Sequence, residues 1–95
     1  MSHTTEWNLR LFLFEEEGTT KARVALDTGA NSLTGRGDAH RNPADADVPE
    51  IGDELAAGRA MHDLGRQLVA IAEHDIQEAG PVAEQESRRA PGWLT

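Results

Sequence analysis

Ninety-five residues suffice for one domain with one modest core, and the lack of cysteine excludes disulfides and thiolate metal sites. No apolar run approaches the roughly 18–20 residues of a membrane span, and "MSHTTEWN" lacks a basic stretch leading into an apolar one, so a cytoplasmic protein with no membrane role is expected. The formal charge of −8 is unevenly held: residues 1–41 carry five basic and six acidic side chains, residues 42–95 four basic and eleven acidic, so an anionic partner for the first half is not excluded.

"EWNLRLFLF" alternates as a strand, with Trp7, Leu9, Leu11 and Leu13 on one face and Asn8, Arg10, Phe12 and Phe14 on the other. "EEEGTT" is a turn in which Gly18 supplies any positive φ. "KARVALD" alternates again, with Ala22, Val24 and Leu26 opposite Lys21, Arg23 and Ala25. "TGAN" turns the chain, and "SLTGRGDAH" reads as a weaker strand whose glycines suggest a bulge or bend. After the loop "RNPADADVP", Pro49 suits the first turn of a helix, and Glu50, Asp53 and Glu54 place negative charge near its positive end. The helical pattern runs to about Ala79, where Gly80-Pro81 stops it. Residues 1–80 therefore form one domain, and residues 81–95 a polar tail in which Trp93 and Leu94 are the docking candidates.

The expected fold is α+β: a three-stranded antiparallel meander packed by one long C-terminal helix, β-β-β-α. The helix covers one sheet face and leaves the other, with Phe12 and Phe14, bare, and a lone three-stranded sheet has two open edges. A twofold homodimer relieves both problems. On the helix, Ala57, Met61, Leu64, Leu68 and Ile71 form the stripe suited to the sheet. A second stripe, Ile51, Leu55, Gly58, His62, Gly65 and Val69, continues at four-three spacing through Ala72 and Ile76. Its glycines each cost roughly 1 kcal/mol against Ala inside a helix, and they admit close approach of another backbone. That backbone is either a second subunit's helix or the domain's own sheet.

"TKARVALDTG", the block from Asn42 to Ala60 and the helix end at Asp75-Ile76 resemble a family of small actinobacterial proteins that includes one of the mycobacterial hypoxia or dormancy response. The resemblance spans roughly residues 4–80. It implies a fold similar to double-stranded-RNA-binding domains without their first helix, assembled as a homodimer. It also implies a link to ribosome hibernation, one member's dimer having been likened to hibernation factors. The family carries no established activity, and fold analogy is weak ground for function.

Asp27-Thr28-Gly29 after an apolar strand is what a homodimeric aspartic protease presents, two carboxylates sharing a proton at the dimer axis. Such proteases are nearly all β, so an ordinary turn is expected here, with no catalytic residue. Arg36-Gly37-Asp38 is a tripeptide coincidence. The four histidines have no i, i+4 pair, and the acidic residues around Pro49 lack calcium-loop spacing, so neither a metal nor another cofactor is expected. No small-molecule substrate is evident. His62 in the small-residue stripe is a pH-responsive contact only if that stripe is an interface.

The remaining signal is the outward sheet face. Strand alternation gathers Arg10, Lys21, Arg23 and Arg36 with Phe12 and Phe14. Interleaved cations and rings are how single-stranded nucleic-acid binders meet phosphate and base. The expectation is a non-enzymatic homodimer that contacts RNA or the ribosome through this face. The alternative is a protein-interaction module with no nucleic-acid role.

Overall fold

The computed structural model describes residues 2–79, and the expected helix stop and polar tail lie outside them. Three nine-residue strands, β1 (Asn8–Glu16), β2 (Thr19–Asp27) and β3 (Ser32–His40), are followed by α1 (Pro49–Ala79). The sheet is antiparallel in the order β1-β2-β3, with Leu11 facing Val24 and Val24 facing Gly35 in the two ladders. The expected α+β meander with one long helix is the fold observed.

Both hairpins are closed by local chemistry. Only Glu17 and Gly18 separate Glu16 from its partner Thr19, with φ of 47° and 78°. Positive φ at both positions is the two-residue turn whose twist matches that of the strands. At the second hairpin the Gly29 N–H donates to the Asp27 carboxylate at 2.8 Å, the Asn31 N–H donates to Thr28 Oγ1, and Gly29 takes φ 89°. The Asp27 carboxylate is thus engaged in the turn that the sequence suggested.

The core is small: Ala22, Val24, Leu26 and Ala39 from the sheet against Ala56, Ala60 and Leu64 from the helix, with Leu33 and Leu68 at its margin. Of the expected packing stripe, Leu64 and Leu68 meet the sheet, and the rest is corrected. Met61 is 43% exposed, Ala57 and Ile71 are half-buried, and the buried line runs one residue earlier through Ala56 and Ala60. Gly35 and Gly37 are the cause. A Cβ on Gly35 would lie 2.8 Å from Leu64 Cβ, and one on Gly37 would lie 2.6 Å from the Ala56 carbonyl oxygen. Helix backbone therefore rests almost directly on strand backbone, and small helix residues must face it. No bulge occurs: β3 pairs with β2 without interruption from Ser32 to His40.

Close seating over β3 also decides what the helix leaves uncovered. A helix is about 10–12 Å across, and strands lie about 4.8 Å apart, so a helix drawn toward β3 cannot shield all three. It lies over β2 and β3 and barely touches β1. Leu9, Leu11 and Leu13 point to the helix side, level with Leu26, Val24 and Ala22, yet remain 47%, 42% and 43% exposed. The expectation that one sheet face would be fully covered is corrected accordingly.

The edges differ as well. Arg59 donates to the Asp38 carbonyl at 2.8 Å, Asp63 accepts the Arg36 N–H at 2.9 Å, and Gln67 donates to the Thr34 carbonyl at 2.7 Å. Four helical residues advance about 6 Å and two strand residues about 6.7 Å, so an i, i+4, i+8 row tracks alternate residues of an antiparallel strand. The β3 edge is therefore capped by side chains, and among the described residues β1 alone is left as an open edge.

Candidate functional site

Antiparallel partners share a side of the sheet, so the register assigns the outer face directly. Phe12, Arg23 and Arg36 form one row across the three strands, Phe14, Lys21 and Asp38 the next, and Arg10, Ala25 and Thr34 the row on the other side. All six residues proposed from the sequence are thus brought together and exposed. Phe12, Phe14, Lys21, Arg23, Arg36 and Asp38 line a shallow depression on this face.

Phe12 is flanked by two guanidiniums, Arg23 at 4.7 Å and Arg10 at 5.4 Å from the ring centroid. These contacts hold both arginines over the face. Arg23 and Arg36 are direct cross-strand neighbours, a like-charge pairing that disfavours the folded state. Among the described residues, Arg10, Lys21, Arg23 and Arg36 make no ion pair; the pairs present join His40 to Asp38, Arg41 to Asp47, Arg66 to Asp63 and His74 to Glu78. Arg41 belongs to the loop, its N–H donating to the Gly18 carbonyl and its guanidinium to the Asp45 carbonyl. Arg10 and Arg23 are thus held by the Phe12 ring, and among the described residues none of the four cations is ion-paired.

The helix stripe faces the other way. Ile51, Leu55, Gly58, His62 and Val69 are exposed, Gly65 is half-buried, and a Cβ on Gly58 or Gly65 would meet nothing within 4 Å. Gly58 and Gly65 do not serve the domain's own sheet; Gly35 and Gly37 of β3, with Ala56 and Ala60 of the helix, do. Sequence reasoning passed over the leucine edge of β1 as a surface. Its signal lay in the small residues of β3, which draw the helix away from β1.

Acidic residues gather at the opposite end of the helix side. Glu15 is pushed above its ordinary range, chiefly by the negative charge of Asp53, and Asp53 Oδ1 is buried without a hydrogen-bond partner among the described residues. Asp63 is pulled below its ordinary range, first by the Arg36 N–H that it accepts. No group of three or more potential ligands arranged for a metal occurs among the described residues. No described helix is long and apolar enough to cross a membrane.

Fold and surface together define a small α+β protein with one capped and one open sheet edge and a basic, aromatic outer face. The chain belongs to the Rv2632c-like family, whose sequence model matches residues 5–85. It is 44% identical over 71 residues to "Uncharacterized protein MT1780" of Mycobacterium tuberculosis, covering 75% of this chain and 76% of that one. It is 41% identical over 63 residues to "Uncharacterized protein Rv2632c" of the same species, covering 66% and 68% respectively. The crystal structure of Rv2632c superposes with a TM-score of 0.78 at 32% identity, over 84% of this chain and 95% of that one.

Proposed function

We propose that this is a non-enzymatic, self-associating protein of a stress or dormancy response that contacts RNA or the ribosome through its outer sheet face. The observation that carries the contact is the group Arg10, Lys21, Arg23 and Arg36, placed beside Phe12 and Phe14 and free of ion pairs among the described residues. Charge held on a face at a cost to the fold is charge available to a polyanion. The stress association rests on the resemblance to a family that includes one protein of the hypoxia or dormancy response.

Self-association is supported by the β1 edge. Among the described residues its backbone is unpaired on one side, and Leu9, Leu11 and Leu13 are exposed beside it, a ready template for a second strand. Pairing β1 with the β1 of a second copy about a twofold axis normal to the sheet sets odd residues against odd. Leucines then meet leucines, and the two basic faces join across one six-stranded sheet. The helix stripe of Ile51, Leu55, Gly58, His62, Gly65 and Val69 is the second surface open to a copy.

Co-sedimentation with ribosomes from stressed and unstressed cells tests the reading, using wild type and the Lys21→Glu/Arg23→Glu double variant. Both side chains are exposed, so the double variant retains its fold. The wild type is expected to associate and the double variant is not; association that survives the reversal rules out the sheet face. The leucine edge also favours a second reading, a protein-interaction module, which a wild type free of RNA and ribosomes at low salt would place first.

A further inference from the structure

We propose that the outer face takes single-stranded RNA in preference to duplex, with a phosphate held between Arg23 and Arg36 and an adjacent base stacked on Phe14. This rests on reading the face as an RNA-contact surface and names the form of RNA it accepts.

The two phenylalanines are not equivalent. Phe12 has guanidiniums over its ring at 4.7 and 5.4 Å, whereas among the described residues no cation lies over Phe14, which is 60% exposed against 39% for Phe12. Phe12 therefore orients Arg10 and Arg23, and Phe14 is the ring left for a base. Its row lies two residues along the strands from the Arg23–Arg36 row, a step of about 6.7 Å. Lys21 belongs to the Phe14 row, on β2 between Phe14 and Asp38.

The Arg23–Arg36 pair supplies the anion site. Two like charges directly opposite across a ladder repel, and a phosphate bridging them converts the repulsion into two charge-assisted contacts. Nothing acidic faces Arg23 across either ladder, its partners being Phe12 and Arg36. Asp38 is the nearest carboxylate row, and its Oδ2 lies 3.5 Å from His40 Nε2.

Duplex is disfavoured because its bases are stacked inward, so an exposed ring on a flat sheet has nothing to stack upon, whereas splayed single-strand bases present their faces.

The test is fluorescence anisotropy of a labelled RNA of about 16 nucleotides, alone or annealed to its complement, at about 50–200 mM salt. The single strand is expected to bind at least about tenfold tighter than the duplex. Phe14→Ala should lose about tenfold on the single strand with an unchanged salt slope, because stacking carries no counterion release. Arg36→Gln should lower that slope by about 0.7, the contribution of one single-strand phosphate. Duplex binding equal to or tighter than single strand, or Phe14→Ala binding like wild type, overturns this inference and leaves the RNA-contact reading standing. Ribosome association without binding of either RNA overturns it in favour of a ribosomal-protein contact. If neither RNA nor ribosomes bind at low salt, both readings fall.

Discussion

The Asp63 carboxylate accepts the backbone N–H of Arg36 at 2.9 Å and, through its other oxygen, meets the Arg66 guanidinium at 3.2 Å. A helix residue thus takes the place of a missing fourth strand at the β3 edge. The Arg36 N–H is the first cause of the lowered Asp63 pKa, so the carboxylate's contribution to stability is fully present above the ordinary value of 3.8 and is lost as pH falls through the lower folded value. Asp63→Ala should lower the urea midpoint at neutral pH, and the gap from wild type should close below about pH 3.8. A gap that persists unchanged at pH 2–3 would show that the hydrogen bond does not depend on the charge.

Glu15 behaves in the opposite sense. Its folded pKa is raised above 4.5, first by Asp53, so its charge opposes folding at neutral pH and protonation relieves the opposition. Glu15→Gln should raise the urea midpoint at pH 7 and confer no gain once pH falls below about 4.5. A neutral-pH midpoint equal to wild type would mean that the hairpin end and the helix start do not sense each other.

The glycines divide by location. Gly35→Ala should cost about 1–3 kcal/mol, because its Cβ would meet helix backbone and Leu64, which cannot swing aside. Gly58→Ala adds a methyl to open space and should gain up to about 1 kcal/mol, a rise in Tm of about 4–8 °C for a domain of this size. Thermal unfolding monitored by circular dichroism separates the two. A destabilised Gly58→Ala would instead place that residue in a tight interface.

Self-association should fail first at β1. Leu11→Arg puts a charge in the middle of the leucine edge without touching the buried core, and should shift sedimentation equilibrium to monomer with the fold retained. Gly65→Leu tests the helix stripe in the same way. A dimer that ignores Leu11→Arg but dissociates with Gly65→Leu would move the interface to the helix. A wild type that is monomeric at high micromolar concentration would exclude both.

For the sheet face, Lys21→Glu/Arg23→Glu should abolish association with RNA or ribosomes while circular dichroism stays that of the wild type. The wild-type association itself should weaken steeply between about 50 and 200 mM salt, since each neutralised phosphate releases counterions. Salt-independent association would point to apolar contact instead.

The strand alternation of Asn8–Glu16 and Thr19–Asp27, the turn glycines and the helix from Pro49 were legible in the sequence, because backbone periodicity and turn chemistry are local properties. So was the gathering of Arg10, Lys21, Arg23, Arg36, Phe12 and Phe14, since parity along antiparallel strands assigns sides before any packing is known. What the tertiary structure alone decided was where the helix sits across the sheet. Gly35 and Gly37 read locally as a bend, but their missing side chains admit the helix backbone over β3. That single lateral shift buries Ala56 and Ala60 in place of Met61, turns Gly58 and Gly65 to open space, and lets Arg59, Asp63 and Gln67 cap one edge. It leaves Leu9, Leu11 and Leu13 exposed along the other edge. Which of two similar apolar stripes meets the sheet depends on the distance of closest approach between two backbones far apart in the chain, a quantity that no local pattern encodes.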